Sequence, residues 1–197
     1  MVDKAIAKRV RVYAKRERIK IVLKHVVGAG QDGIVLPTNR NSVLKAIDRE
    51  RTYDTELRCY LRLRDHDVRD INGLAVPQLL NHSDDLRIIE LSTVQPPYLL
   101  DFGKAYLDEP APYSQDQRAE FERDWPRFFR KADVPRVRLV LRTLLLSYGI
   151  DYVDPKPANI RLRSDADDRD ADDWDANEGE NYDDIGHDDI GESETDR

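Results

Sequence analysis

The chain has 197 residues, of which 36% are charged and 40% apolar, a length and balance that suit one globular domain with tails. A single cysteine, Cys59, excludes a disulfide framework and a cysteine-built zinc site, and fits a cytoplasmic location. No run approaches the 18 apolar residues of a membrane span, and the charged N-terminus lacks the apolar stretch of a secretory signal.

The formal charge of −7 is segregated. Residues 1–28 carry nine Lys/Arg against two Asp/Glu, residues 164–197 two Arg against sixteen Asp/Glu, and residues 29–163 are neutral. Residues 4–20 are dense in helix formers, with a thin apolar stripe at Ala5, Val10, Val12 and Tyr13, and predict a solvent-facing helix or arm over 1–20. Residues 21–27 are β-branched and predict a strand, residues 33–36 a second, and residues 43–47 a third after the turn-like 37–42. Tyr53, Leu57, Tyr60, Leu61 and Leu63 give helical spacing over 48–64. Residues 74–81 and 86–91 predict a strand pair around Ser83-Asp84-Asp85, and 92–98, with Pro96-Pro97, an extended connector. Residues 114–131 and 134–149 predict helices. The second has Val137, Val140, Leu141, Leu144 and Leu145 at core spacing, Pro135 in its first turn and Gly149 at its end. Beyond Ser164 the chain is rich in Asp and poor in large aliphatics, which predicts a disordered acidic tail over 164–197.

Gly28-Ala29-Gly30-Gln31-Asp32-Gly33 follows the first strand. G-x-G-x-x-G either opens a helix whose N-terminus holds phosphates or joins two antiparallel strands that fold over them. Ile34-Val35-Leu36 followed by Pro37 cannot open a useful helix, so the hairpin reading holds, and Val35 extends the motif to G-x-G-x-x-G-x-V. A plain hairpin with flexible glycines is the bland alternative. Lys45 lies mid-strand, on the side of Val43 and Ile47. It is either a snorkelling edge-strand lysine or a cation that reaches the α- and β-phosphates. A phosphate-binding lysine needs a carboxylate to hold it; Glu56, with apolar neighbours one turn on, is preferred to Glu50.

The segment Gly149-Ile150-Asp151-Tyr152-Val153-Asp154-Pro155-Lys156-Pro157-Ala158-Asn159 contains D-x-K-P-x-N. An Asp takes the hydroxyl proton of a phosphoryl acceptor, an Asn five residues on turns back to a metal ion, and a Lys between them neutralises the γ-phosphate. With these motifs in order from about Ile21 to Arg163, the chain resembles the protein kinase-like superfamily in a minimal, bacterial-type form. The resemblance implies an α+β protein kinase-like fold: a small antiparallel-sheet N-lobe with one helix (21–91), a hinge (92–98) and a truncated helical C-lobe (99–163). It implies MgATP between the lobes, with Gly28, Gly30, Gly33 and Val35 covering the phosphates, Lys45 paired with Glu56, and backbone groups of the stretch from Glu90 to Val94 meeting adenine at the hinge. Asp154 is then the catalytic base, Lys156 the γ-phosphate lysine and Asn159 a ligand to Mg²⁺.

Three departures stand out. Asp101-Phe102-Gly103 looks like the family's metal-binding motif, but it precedes Asp154, where the family's motif follows the catalytic Asn. It is read as a decoy that packs through Leu99, Leu100 and Phe102, and the metal aspartate is sought at Asp173, or Asp172, beside Trp174. Tyr152-Val153 replace the Arg that reads a phosphorylated activation loop, and the helices that dock protein substrates are missing. The expected activity is Mg²⁺-dependent transfer of the ATP γ-phosphoryl group to a hydroxyl of a protein Ser/Thr or a small molecule. The alternatives are a pseudokinase that binds nucleotide or a partner without catalysis, and an interaction protein driven by the basic arm and acidic tail. Neither membrane nor nucleic acid is an expected partner. Cys59, His25, His66 and His82 are read as structural or solvent-facing.

Overall fold

The computed structural model describes residues 3–21, 26–30 and 33–163. It is a mixed α/β fold with a main antiparallel sheet and four α-helices. That sheet has the order β1 (Gly28–Gly30), β2 (Gly33–Pro37), β3 (Ser42–Ile47), β7 (Ile88–Ser92) and β6 (Leu79–Ser83). The hairpin expected at the glycines is present: Gly28 faces Val35 and Gly30 faces Gly33, while residues 31–32 lie outside the described ones. Of the strand expected over 21–27, residues 22–25 also lie outside, and Ile21 bridges Thr38.

Alternation along β3 allocates its two faces. Leu44 and Ala46 join Ile34, Leu36 and Ile88 in one apolar cluster, whereas Val43 and Ile47 point into the other. The first face is covered by α1 (Lys4–Glu17). This corrects the expectation of a solvent-facing arm and adds a second helix to a sheet expected to carry one. The helix buries Ile6, Ala7, Val10, Tyr13 and Ala14, a stripe at i, i+1, i+4, i+7 and i+8 in which two positions are alanines too small to advertise a core face. Asp3 caps its N-terminus by accepting from the amides of Ala5 and Ile6. Arg9 donates to the carbonyls of Ile47 and Leu86, tying the helix to the end of β3 and to the turn between β6 and β7.

The opposite face packs on α2 (Glu50–Asp65), which buries Tyr53, Glu56, Leu57, Cys59, Tyr60 and Leu63. Burial pushes the Cys59 thiol up to about 12, leaving it an inert core residue. The expected strand over 74–81 divides. Leu74–Ala75 form β5, the middle of a four-stranded sheet β11-β8-β5-β4, and only Leu79–Ser83 pair with β7. In that sheet β4 is Asp70–Ile71, β8 Tyr98–Leu99 and β11 Ile160–Arg161. Residues 93–97 connect β7 to β8 without regular structure. β9 (Tyr106–Leu107) pairs with β10 (Ile150–Asp151).

Helix α3 (Gln115–Asp124) opens on a capping box at Ser114 and Gln117, and a 3₁₀ turn (Trp125–Arg127) follows. Helix α4 (Val134–Tyr148) buries Val137, Val140 and Leu144, but Leu145 is exposed. Gly149 ends α4 at φ +65°, a left-handed conformation that favours glycine, and a Cβ there would lie 2.8 Å from Asp108 Oδ1 and push that carboxylate aside. No helix among the described residues is long and apolar enough to cross a membrane.

The seat of α1 depends on one buried polar group. Glu90 is 4% exposed and accepts from Tyr13 Oη at 3.1 Å and Ser42 Oγ at 2.6 Å. Tyr13→Phe leaves that carboxylate one donor short and should cost about 1–3 kcal/mol of unfolding free energy, read by urea denaturation. An unchanged midpoint would show that α1 is held by its apolar stripe alone.

Candidate functional site

Lys45 projects from β3 onto the face shared with α2. Its ammonium donates to Glu56 Oε1 at 2.6 Å and to Asp101 Oδ1 at 2.9 Å. Glu56 sits on the buried stripe of α2 with a side chain that is wholly inaccessible. Asp101 arrives on the strap after β8 at φ +61°, where the amide of Gly103 also donates to its Oδ1 at 3.2 Å. A cation from a strand, a carboxylate from a helix and a carboxylate from a strap therefore meet at one point.

Burial disfavours the charged form of each of these groups, and the neighbours decide the outcome. For Lys45 the carboxylates of Glu56 and Asp101 outweigh burial, and its pKa is raised. For Asp101 the Lys45 ammonium outweighs burial, and its pKa is lowered, with Lys156 contributing in the same direction. For Glu56 burial wins over Lys45 and carries the carboxyl up to about 7.

Phe102 anchors the strap. It is fully buried and meets Tyr60 and Tyr152 edge-on, with ring centroids 5.1 and 5.6 Å apart. Gly103 has no room for a side chain: a Cβ would stand 2.7 Å from Thr52 Cγ2 and 3.3 Å from Glu56 Oε2. The expectation that Asp101-Phe102-Gly103 only packs is thus half right. Phe102 does pack, and its packing delivers Asp101 to Lys45.

The second half of the site is the loop between β10 and β11. Asp154 Oδ2 accepts from Lys156 Nζ at 2.9 Å and from Asn159 Nδ2 at 3.2 Å, and lies 3.4 Å from Lys104 Nζ. Asn159 also donates to the Asp154 backbone carbonyl, which fixes the loop's curvature across five residues. Among the described residues, all three of these contacts use Oδ2. The loop is held at both ends. Asp151 is buried and accepts from Arg118 Nη2 at 2.6 Å and from the amide of Ala111 at 2.8 Å. Beyond Asn159, Ile160 pairs with Leu99 and the amide of Leu100 donates to the Asn159 carbonyl at 2.7 Å. The antiparallel pairing of β8 with β11 thereby sets Asp101 beside the D-x-K-P-x-N loop.

The remaining sequence-expected residues fall differently. Val35 pairs with Lys45 across β2 and β3 and faces the same side. Gly28 pairs with Val35, and Gly33 pairs with Ile47. A Cβ on Gly33 would stand 2.1 Å from the Ala46 carbonyl oxygen, so the hairpin lies flush on β3 only with glycine there. Glu90 departs from expectation. β7 continues to Ser92, so Glu90 is mid-strand rather than at a hinge, and strand alternation sends its carboxylate to the α1 face, away from Lys45. Asp172 and Asp173 lie outside the described residues. Lys104 escaped the sequence reading; its signal was its place directly after the motif set aside as a decoy.

Among the described residues no three His, Cys, Asp or Glu side chains form a metal cage. Asp101 and the Asn159 carboxamide oxygen do fit a hard cation that takes one or two protein oxygens and draws the rest from phosphate and water.

No family model and no curated protein matches the chain. Among solved structures, the streptomycin–ATP ternary complex of APH(2'')-IIa is similar at 16% identity and TM-score 0.34, over 64% of this chain and 39% of that one. The gentamicin complex of APH(2'')-IIa is similar at 16% identity and TM-score 0.35, over 64% and 37%. ADP-bound aminoglycoside phosphotransferase APH(2'')-Ib is similar at 13% identity and TM-score 0.36, over 77% and 42%. The chain spans about two fifths of the length of these structures.

The Glu56 carboxyl gives the cluster a pH dependence. Its folded pKa of about 7 lies above the ordinary 4.5, so the folded state holds that proton more tightly, and the Glu56 contribution to stability falls as pH rises from 4.5 to 7. Glu56→Gln removes this titration. Wild type should lose stability relative to the variant across that window in thermal melts; a constant difference between the two melts would contradict it.

Proposed function

We propose that the chain is an ATP-dependent phosphotransferase that moves the γ-phosphoryl group to a hydroxyl acceptor. The observation that carries the reading is the convergence on one site of Lys45, held by Glu56 and Asp101, with the Asp154-Lys156-Asn159 loop. Uncommitted surface lysines and carboxylates do not make such a cluster, because burying charge costs free energy unless each group is paired.

In this reading the hairpin that contains Gly28, Gly30, Gly33 and Val35 covers the phosphates with backbone amides. Lys45 binds the α- and β-phosphates, and Glu56 keeps its ammonium charged and aimed. Asp101, in the place first sought at Asp173 or Asp172, and Asn159 hold Mg²⁺, which when bound neutralises the phosphate oxygens. Asp154 accepts the acceptor's hydroxyl proton. The hydroxyl oxygen then bonds to the γ-phosphorus while the bond from that phosphorus to the β-phosphate bridging oxygen breaks, and ADP leaves. Lys156 stabilises the charge that develops on the transferring group. The adenine contact falls to backbone groups at the end of β7 and in the connector that follows it. The acceptor is a protein Ser/Thr or a small-molecule hydroxyl.

Lys45→Ala and Asp154→Asn should each lower ATP turnover by about 10²–10⁴-fold, measured as ADP formation with and without candidate acceptors. Wild-type turnover in both variants would sink the mechanism. Nucleotide binding with no turnover in wild type would leave a binding module instead. Asp101→Asn should abolish the Mg²⁺ dependence of nucleotide binding in thermal-shift titrations. The same titration on Asp172→Asn and Asp173→Asn reads directly which aspartate carries the metal; loss confined to one of those two would return the role to the acidic segment.

A further inference from the structure

The reading above leaves one cation of the site without a task. Lys104 follows Gly103, and its ammonium stands 3.4 Å from Asp154 Oδ2, the oxygen that already accepts from Lys156. Two ammonium groups on one carboxylate oxygen are more than that oxygen needs. Within the site three lysines, Lys45, Lys104 and Lys156, stand against three carboxyl groups, Glu56, Asp101 and Asp154.

The backbone of Lys104 is fixed although its side chain is more than half exposed. Before it, Phe102 is locked in the core, and Asp101 is tied to Lys45. After it, Ala105 is buried and donates to the Phe102 carbonyl, and Tyr106 pairs with Asp151 on the strand that leads into the Asp154 loop. A long cationic side chain thus stands on a rigid base and reaches Asp154 at 3.4 Å, a long contact for an ammonium and a carboxylate.

Resting on the phosphotransferase reading, we propose that Lys104 is a second lysine for the terminal phosphoryl group. It leaves Asp154 when nucleoside triphosphate binds and contacts the γ-phosphate opposite Lys156. The transferring group thereby gains a cation that a diphosphate lacks, so the site distinguishes triphosphate from diphosphate.

The test is nucleotide affinity of the full chain, measured by calorimetric titration of MgATP and MgADP against wild type, Lys104→Met and Lys104→Arg. Methionine keeps the length and apolar stem of lysine without its charge. Lys104→Met should weaken MgATP about tenfold or more and leave MgADP within twofold, and Lys104→Arg should recover most of the MgATP affinity. Equal weakening of both nucleotides would assign Lys104 a merely structural part and overturn the proposal, as would unchanged MgATP affinity. Wild type that binds neither nucleotide would instead overturn the phosphotransferase reading itself, and this one with it.

Discussion

The Lys45 ammonium, shared between Glu56 and Asp101, is the constraint on which the other parts of the site depend. Glu56 is wholly buried, and Lys45 retains little access to solvent. Neither charge is tolerable there alone, since the penalty for removing an ion from water is several kcal/mol after relaxation. The three groups come from a strand, a helix and a strap, so pairing them fixes those elements relative to one another. α2 must present Glu56 at one rotation about its axis, and the strap must turn at Asp101. The lack of room at Gly103, where an added Cβ would stand 2.7 Å from Thr52 Cγ2, is the imprint of that requirement on the sequence.

A two-faced sheet supplies the other condition. β3 sends Lys45 toward α2 and Leu44 and Ala46 toward α1, and β7 obeys the same alternation with Ile89 and Glu90. Glu90 therefore belongs to the support of the sheet rather than to the ligand side. It binds Tyr13 of α1 and Ser42 of β3 in one buried network. Arg9 adds contacts to the carbonyls at the ends of β3 and of the 84–87 turn. A basic helix that reads as a detached arm is in fact the back plate of the strand that carries Lys45.

What was legible in the sequence was whatever depends on local period. Lys45 follows from an apolar strand interrupted by one cation, Glu56 from the buried stripe of a helix, and the end of α4 from Gly149. The hairpin follows from Pro37 and the strand-forming residues after Gly33. What was not legible depends on non-local pairing. The burial of α1 was hidden because alanines supply two of its five buried positions, and Ala5 and Val12 of the expected stripe are not among them. The place of Glu90 was lost because the end of β7, and hence the start of the connector, is set by pairing with Ser42 and Gln78 rather than by composition.

Asp101 is the most instructive case, because chain order pointed away from it. Order along a chain constrains space only through the connections that must be made. Two adjacent antiparallel strands can be visited in either order if the segments that leave them are long enough. Here β8 comes first and β11 last, with α3, α4 and the β9–β10 pair between them. The pairing of Ile160 with Leu99, together with the bond from the Leu100 amide to the Asn159 carbonyl, places Asp101 next to the end of the Asp154 loop as firmly as a hairpin of the opposite order could. Every residue to which the phosphotransferase reading gives a task then lies between Gly28 and Asn159. In that reading the carboxylate proposed for the metal, Asp101, comes from the neutral portion of the chain, where the Lys45 ammonium outweighs burial and holds its pKa down.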